Sequence, residues 1–270
     1  MWTPKNTAMP FKCCLGQQAD LNRCSGPEAE SAMETTIDIL THNLLLSRMD
    51  MVSRSMIVSA LEPVELPAKY TLSSFERKTE FCYFLRSGIA SVVARSPRNK
   101  TSEVGIIGRE GMVPASLILH SGPAAFDIFM QVSGDGQRIR VECLEEVLRT
   151  TPTLRELIGK YVHTFLIQSA YTSLANANHS AQERLARWIL MCHDRMDGDR
   201  IPLTHEFLST MLAVRRPTIT DAFHVLEGRR LIWSERGLIT VRDRAGLEAF
   251  ACDCYGRAEN EYRNLIGEFR

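Results

Sequence analysis

The sequence lacks several features that would point to particular classes of protein. Its formal net charge is zero, with 32 Lys and Arg against 32 Asp and Glu, so no overall basic field predicts a polyanionic partner. No apolar run approaches the roughly 20 residues that a membrane-spanning helix needs. The N-terminal stretch has no apolar core of signal-peptide length. We therefore expect a cytoplasmic protein that does not associate with a membrane.

Catalytic motifs are also scarce. The segment "GIIGREG" at 105–111 is not followed by a GK[ST] sequence, and it lacks the strand–turn–helix context of a phosphate-binding loop. The sequence offers no recognisable pairing of a nucleophile with a base. These absences argue against an enzyme, and we predict no catalytic residues.

Short strands are what the region from about residue 57 to 143 does contain. The segments "FCYFLRSGIASVVA", "EVGIIG", "FDIFMQVSG" and "GQRIRVE" are separated by glycine-containing turns. In the first segment, Ser87-Gly88 predicts a tight hairpin between the strand with Phe81 and Leu85 and a strand at 90–93. Short strands without intervening helices predict an antiparallel roll or barrel.

A long amphipathic helix is predicted after the roll, in "TPTLRELIGKYVHTFLIQSAYTSLANANHS". Pro152 opens it, and Leu154, Ile158, Tyr161 and Phe165 recur at helical spacing. About 25 helical residues would extend about 38 Å, so the apolar stripe serves either as core or as a seam for a partner helix. A second amphipathic helix, "AQERLARWILMCHDRM", follows.

Residues 203–241 have the pattern of two short helices, a tight turn and a small hairpin. Thr204 suits the N-cap of the first helix. Pro217 would cost about 3 kcal/mol inside a helix but is tolerated in a first turn, so the second helix is predicted to begin near Arg215 or Arg216. Its inner face is marked by Ile219, Ala222, Phe223 and Leu226, and Gly228 can terminate it.

This arrangement predicts a winged helix-turn-helix that binds DNA. The second helix would present its first turn to the major groove, and "LIWSERGLITV" would form the wing. From 215 to 244 there are seven arginines and four acidic residues, which is a local basic patch in a neutral chain. The candidate DNA-contacting residues are Thr204, Arg215, Arg216, Pro217, Thr218, Thr220, Asp221, Arg229, Arg230 and Arg236.

The sequence resembles the Crp/Fnr family of bacterial transcription regulators over nearly the whole chain after residue 40. The resemblance rests on "GIASVVARSP", "EVGIIGREGMV" and "LTHEFLSTMLAVRRPTITDAFHVLEGRRLI". It is closest to the proteobacterial branch with "ERLARWILMCHDR" before the motif and "DRAGLEAFACDCY" after it. Membership implies a cyclic-nucleotide-binding-like roll, dimerisation through the long helix, a two-fold symmetric DNA site, and RNA polymerase as a partner.

The family's effector pocket would correspond to Gly108, Arg109, Gly111 and Ser169. Members that bind cyclic nucleotides carry Gly-Glu-x-Gly and a later Arg-Ser-Ala or Arg-Thr-Ala. Here Arg109 replaces the glutamate, and "HSGPAAFDIFMQ" contains no arginine. The phosphate would be buried without a partner, at a cost of several kcal/mol, so cyclic AMP is not expected to bind.

The eight cysteines complete the candidate chemistry. Family members that sense oxygen hold an iron–sulfur cluster through N-terminal cysteines, but Cys13 and Cys14 are adjacent here, with the next at Cys24, so no cluster is predicted. Cys252 and Cys254 could bind metal or act in redox sensing. Because the sequence places no histidine nearby, no metal site is predicted either.

The sequence thus predicts an α+β chain in five parts. A mobile tail (1–33) precedes the roll (34–150), the dimerisation helix (151–180), the winged helix-turn-helix (181–250) and a C-terminal tail (251–270). The predicted function is that of a homodimeric, sequence-specific transcription regulator. One alternative stays open, in which a ligand- or redox-sensing module acts through a protein partner and Asp221 marks a degenerate DNA surface.

Overall fold

A computed structural model describes residues 42–119, 122–203 and 205–269, so the predicted tail 1–33 and Thr204 lie outside the described residues. The helices are α1 (Leu44–Ser47), α2 (Met51–Val58), α3 (Val141–Thr150), α4 (Pro152–Asn178), α5 (Ala181–His193), α6 (His205–Met211), α7 (Arg216–Gly228), α8 (Arg244–Phe250) and α9 (Arg257–Leu265). The strands are β1 (Glu62–Leu66), β2 (Thr71–Ser73), β3 (Phe81–Leu85), β4 (Ile89–Arg95), β5 (Thr101–Ile107), β6 (Met112–Val113), β7 (Asp127–Val132), β8 (Gly134–Arg140), β9 (Arg200–Ile201), β10 (Ile232–Glu235) and β11 (Leu238–Val241). A short 3-10 helix spans Ala115–Leu119.

Two four-stranded antiparallel sheets form the predicted roll. Their strand orders are β1-β8-β3-β6 and β2-β7-β4-β5. Phe84 and Ile139 of the first sheet share one hydrophobic core with Val92 and Met130 of the second. The predicted antiparallel roll is confirmed, and its two inner faces are closed against each other.

The predicted hairpin at Ser87-Gly88 is wrong. β3 pairs with β6 and β8, whereas β4 pairs with β5 and β7, so the chain crosses from one sheet to the other at this point. Gly88 has φ +81°, and a Cβ there would lie 2.7 Å from the carbonyl oxygen of Val132. Glycine predicts a sharp change of direction correctly, but local sequence does not specify which strand becomes the hydrogen-bonded neighbour.

The long helix is confirmed as α4, which has 27 residues and Pro152 in its first turn. Leu154, Ile158 and Tyr161 are buried in the core of the roll, so this stripe belongs to the core. Elsewhere on α4, Leu166 and Leu174 are 63% and 47% exposed. The described residues contain no helix with the length and apolar character to cross a bilayer.

The C-terminal segment contributes to the same core. Within 251–270, α9 packs along α4. The Tyr262 hydroxyl donates a hydrogen bond to the carbonyl oxygen of Glu110 at 2.9 Å, and its ring meets that of Phe269 edge to face at 5.2 Å. The segment therefore joins the end of the chain to the roll.

A second hydrophobic core connects the roll to residues 181–250, which are called the helical domain below. Ile106 and Val132 from the roll pack with Leu185 of α5 and Leu208 of α6. The Phe129 ring of β7 also contacts Phe207 of α6, with 6.1 Å between the ring centroids. The first helix of the helix-turn-helix is therefore docked on the sheet that contains β4, β5 and β7.

Candidate DNA-binding surface and effector cavity

The turn between α6 and α7 has the geometry of a helix-turn-helix. Ala213 adopts φ +52°, in the left-handed region, and the Val214 N–H donates to the Ser209 carbonyl oxygen at 3.0 Å. The Arg184 guanidinium of α5 donates to the Leu212 carbonyl oxygen, which connects the turn to α5. The predicted inner face of α7 is buried and comprises Ile219, Ala222, Phe223 and Leu226.

The start of α7 follows the prediction. Arg215 is the N-cap residue, α7 begins at Arg216, and Pro217 occupies the first turn. The Arg215 guanidinium has no acceptor atom and so cannot cap that turn, which leaves the first N–H groups of α7 to other acceptors. A helix N-terminus of this kind carries a positive partial charge that favours phosphate.

Most of the predicted DNA-contacting residues are exposed. The exposed members are Arg215, Arg216, Pro217, Asp221, Arg229, Arg230 and Arg236. Thr218 and Thr220 are half-buried, and the Thr220 hydroxyl donates to the Arg216 carbonyl oxygen at 3.3 Å. The described members lie on α7, on its N-cap residue, on the residues that follow it and on the wing.

The C-terminal end of α7 places an arginine in a conformation that favours glycine. The Leu231 N–H donates to the Leu226 carbonyl oxygen and the Arg230 N–H to that of Glu227, which together form a Schellman motif. Its left-handed position is occupied by Arg230, with φ +59°, rather than by Gly228. Gly228 is the last helical residue, so it ends α7 as predicted but does not supply the left-handed conformation.

The predicted wing is present as β10, the Arg236-Gly237 turn and β11. Gly237 supplies the positive φ of the turn, +78°. Glu227 of α7 accepts hydrogen bonds from the Ser234 N–H at 2.9 Å and hydroxyl at 2.6 Å, which fixes the wing against α7.

Three exposed residues near this surface were not among the predicted contacts. His224 follows Asp221 by one helical turn, Trp233 is 50% exposed on β10, and the Arg242 guanidinium lies 5.8 Å from the Trp233 ring centroid. The spacing of three residues on α7 could have identified His224. Arg242 and Trp233 come together only through the folding of the wing.

The segment at the family's effector position is filled by the protein's own side chains. Arg109 forms an ion pair with Asp197 at 2.9 Å. The Glu110 carboxylate is buried, and it accepts hydrogen bonds from Arg195 Nε at 2.7 Å and from the Gly108 N–H at 2.9 Å.

Gly111 is just as closely covered. A Cβ added there would lie 2.1 Å from the Tyr161 hydroxyl oxygen, because α4 packs directly on this residue. The pKa of the Tyr161 hydroxyl is raised well above its usual value, chiefly by burial. Space for a ribose phosphate next to Gly108, Arg109 and Gly111 is therefore taken up by protein atoms.

Ser169, the fourth predicted effector residue, lies elsewhere. It lines a cavity of about 360 Å³ between the roll and α4, and Gly108, Arg109 and Gly111 do not line it. The lining is mostly aliphatic and aromatic, for example Val92, Ile128 and Phe165, and among its residues none carries a charge. The four predicted positions are thus divided between a filled segment and an apolar cavity.

A buried polar cluster lies where the helical domain contacts the roll. Trp188 Nε1 of α5 donates to Glu103 Oε1 at 2.7 Å, and the Ser91 hydroxyl donates to Glu103 Oε2 at 2.6 Å. Glu103 is 5% exposed, and burial raises the pKa of its carboxyl to about 7. The docked position of the helical domain is therefore linked to an ionisable group that titrates near neutral pH.

The structure changes the setting of the two C-terminal cysteines. Cys252 and Cys254 are buried, and the imidazole of His179 lies close to both, with all three potential ligand atoms within 4.8 Å of one another. The expectation that no histidine lies nearby was wrong, because His179 is distant in sequence and is brought in at the end of α4. Burial raises the pKa of the Cys254 thiol to about 11.

Comparison with known proteins agrees with this geometry. Residues 183–250 match the model of the Crp-like helix-turn-helix domain. Among curated protein sequences, no relative matched the chain.

Solved structures share the fold at low sequence identity. FixK2 from Bradyrhizobium japonicum is 14% identical, with a TM-score of 0.61 over 71% of this chain and 98% of that chain. A protein described as a regulator of the Crp/Fnr family from Eubacterium rectale is 17% identical, with a TM-score of 0.59 over 76% and 96%. The c-di-GMP-responsive regulator CLP from Xanthomonas campestris is 14% identical, with a TM-score of 0.58 over 71% and 99%. Residues 183–250 are therefore a Crp-like helix-turn-helix domain, and the chain has the fold of the Crp/Fnr-type transcription regulators.

Proposed function

We propose that the chain acts as a homodimer that binds a two-fold symmetric DNA site in a sequence-specific manner and thereby regulates transcription. The observation that carries this proposal is the grouping of exposed arginines on one domain. Arg215 and Arg216 lie at the N-terminus of α7, Arg229 and Arg230 follow its C-terminus, and Arg236 is at the tip of the wing. Such residues contact phosphates and the acceptor edges of guanine.

The homodimer is supported by the composition of α4. From Tyr161 to Asn178 the helix contains no Asp, Glu, Lys or Arg, although Leu166 and Leu174 are exposed. Covering these leucines with a second copy of α4 would remove apolar surface from water. The two α7 helices of such a dimer would contact major grooves about 34 Å apart.

The family resemblance also implies a protein partner. RNA polymerase is the protein partner that the proposed regulator would contact on DNA. Since its DNA lies in the cytoplasm, the regulator would act there.

We also infer that cyclic AMP is not the effector. The segment 108–111 is occupied by Tyr161 and the Glu110–Arg195 pair, and the cavity at Ser169 has no charged lining residue. A phosphate placed in that cavity would lose its hydration without gaining a partner. An effector that binds there would be uncharged and mostly apolar. A rise in the melting temperature of the protein on addition of cyclic AMP would contradict this inference.

The alternative function, a sensing module that acts through a protein partner, is favoured by one observation. Asp221 is exposed on the outer face of α7, where a carboxylate repels phosphate. The same carboxylate can accept a hydrogen bond from cytosine N4, so it is also compatible with base recognition.

The experiment that separates the two functions is selection of duplex DNA by the purified full-length protein without added ligand. It is run under reducing and oxidising conditions and followed by affinity measurements on the enriched duplex. The proposed function predicts enrichment of a two-fold symmetric site. Failure to retain any duplex at low salt would favour the protein-partner alternative, because even non-specific binding should appear there.

A further inference from the structure

A histidine and two cysteines meet where the long helix ends. His179 follows α4 as its C-cap residue, and Cys252 and Cys254 follow α8. The thiols are 3% and 2% exposed and are not joined in a disulfide. The three potential ligand atoms lie within 4.8 Å of one another, so small side-chain rotations would direct all of them to one point. This set does not overlap with the DNA surface or the apolar cavity.

A carboxylate is positioned to orient the imidazole. Asp253 Oδ1 lies 3.2 Å from His179 Nε2, and the Asp253 side chain is 84% exposed. Metal-binding histidines are commonly held by such a carboxylate, which fixes the ring and raises its basicity.

Two cations lie on the neighbouring helix α5. Arg187 is 6% exposed; its guanidinium donates to the Thr172 hydroxyl at 3.3 Å, and its Nε is buried with no hydrogen-bond partner among the described residues. Arg184 is half-buried; its guanidinium donates to the Leu212 carbonyl oxygen, and its Nε also lacks a partner in the described part of the chain. Both guanidinium groups lie within electrostatic range of Cys252. A metal–thiolate site would therefore have positive charge close by.

We propose that His179, Cys252 and Cys254 bind one divalent metal ion of the zinc class. Two cysteines and one histidine are an established donor set for zinc, and a water molecule completes the tetrahedron. On binding, each thiol releases one proton to the solvent and forms a sulfur–metal bond, while the histidine donates a ring-nitrogen lone pair. No oxidation state changes.

The position of this site gives the metal a structural consequence. His179 belongs to the end of the long helix, whereas both cysteines lie beyond the wing and α8. A bound ion would tie these two parts together at the base of the helical domain. On the proposed function, metal binding should therefore alter DNA affinity.

Cobalt substitution in the full chain tests the site. Because Cys13, Cys14 and Cys24 also offer thiols, the test uses a chain in which all three are serine. This protein is reduced, freed of metal with a chelator and titrated with Co²⁺. The expected result is one ion per chain, with the visible bands of tetrahedral cobalt and a thiolate charge-transfer band, both abolished by Zn²⁺.

Matched variants locate the ligands. C252S, C254S and H179Q each remove a metal ligand, so each should weaken binding by more than the roughly 10- to 100-fold that loss of a supporting residue costs. C143S, which changes a cysteine elsewhere in the chain, should bind cobalt as the parent does. Circular dichroism and thermal melting establish that each variant is folded. If a cysteine variant does not fold, the spectrum of H179Q decides.

Two results would overturn the proposal. One is a cobalt spectrum without thiolate charge transfer. The other is an affinity that stays the same in folded C252S, C254S and H179Q. Metal binding that leaves DNA affinity unchanged would overturn the regulatory consequence. A protein that binds metal but no DNA would contradict the proposed function and leave the metal site supported.

Discussion

The arginines at the base of the helical domain and those on its outer surface have opposite environments. The Arg195 side chain is 2% exposed, pairs with Glu110 at 2.7 Å and lies 3.7 Å from Glu259. Arg215 and Arg230 are exposed to solvent. Arginine thus joins two parts of the fold at one of these positions and provides an accessible positive charge at the others. The buried pair should be insensitive to salt, whereas contacts of the exposed arginines with phosphate should be strongly screened.

The largest expected effect concerns the buried arginine. R195A leaves the Glu110 carboxylate buried without its cation, so we expect a loss of about 3–5 kcal/mol in the free energy of unfolding. Urea denaturation measures this loss. The paired replacement R195M/E110Q removes both charges of the pair but leaves buried Glu259 without Arg195, so it should recover part of the loss. A loss below about 1 kcal/mol in R195A would show that this region does not depend on the ion pair.

The next effect concerns Glu103, the buried acid at the contact of the roll with the helical domain. Its folded-state pKa is raised from 4.5 to about 7, mainly by burial. The folded protein thus holds this proton to higher pH than the unfolded chain. The contribution of Glu103 to the free energy of unfolding should be fully present below about pH 4.5 and should be lost, by on the order of 3 kcal/mol, as the pH rises through 7.

The variant E103Q retains a neutral side chain at all these pH values. Its stability should therefore lack the decline between pH 4.5 and 7, as measured by urea denaturation at several pH values. Parallel profiles for E103Q and the parent protein would contradict the assignment of this titration to Glu103.

A smaller effect tests whether the exposed surface reads sequence or only attracts phosphate. D221A removes an exposed carboxylate from α7. We expect tighter non-specific binding and a loss of about 1–3 kcal/mol in discrimination at one base pair. Competition with single-base variants of the selected site measures this loss. An unchanged preference at every base would remove Asp221 from the recognition surface.

The smallest expected effect concerns Arg230, where one substitution should change protein stability and DNA affinity in opposite directions. Arg230 has φ +59°, which glycine adopts without strain. R230G relieves left-handed strain of about 1–2 kcal/mol, which is partly offset by the greater entropy of glycine in the unfolded chain, so it should raise the free energy of unfolding by up to about 1 kcal/mol. It should also weaken DNA binding, since a charge is lost. Thermal melting and affinity are measured on the same preparation. Unchanged affinity would mean that this arginine does not contact DNA.

How much could be predicted from the sequence differs between these regions. Pro217 fixed the start of α7 and Gly237 the turn of the wing, because each residue carries its conformational preference locally. The Glu110–Arg195 pair joins residues 85 positions apart, and nothing in either local sequence predicts it. The proximity of Cys252 to His179 was missed for the same reason. The β3–β4 connection shows this limit for strands, since the turn was predicted and the pairing was not.

The salt dependence of affinity for the selected duplex tests the central claim, that the exposed arginines of α7 bind DNA in a dimer. It is measured for the parent protein, for R215A/R216A and for R98A, which removes an exposed arginine from the roll as a matched control. The four arginines lost per dimer should reduce the slope of log affinity against log salt by about 3 to 4. R98A should leave the slope unchanged. An equal slope for R215A/R216A and the parent protein would contradict the claim.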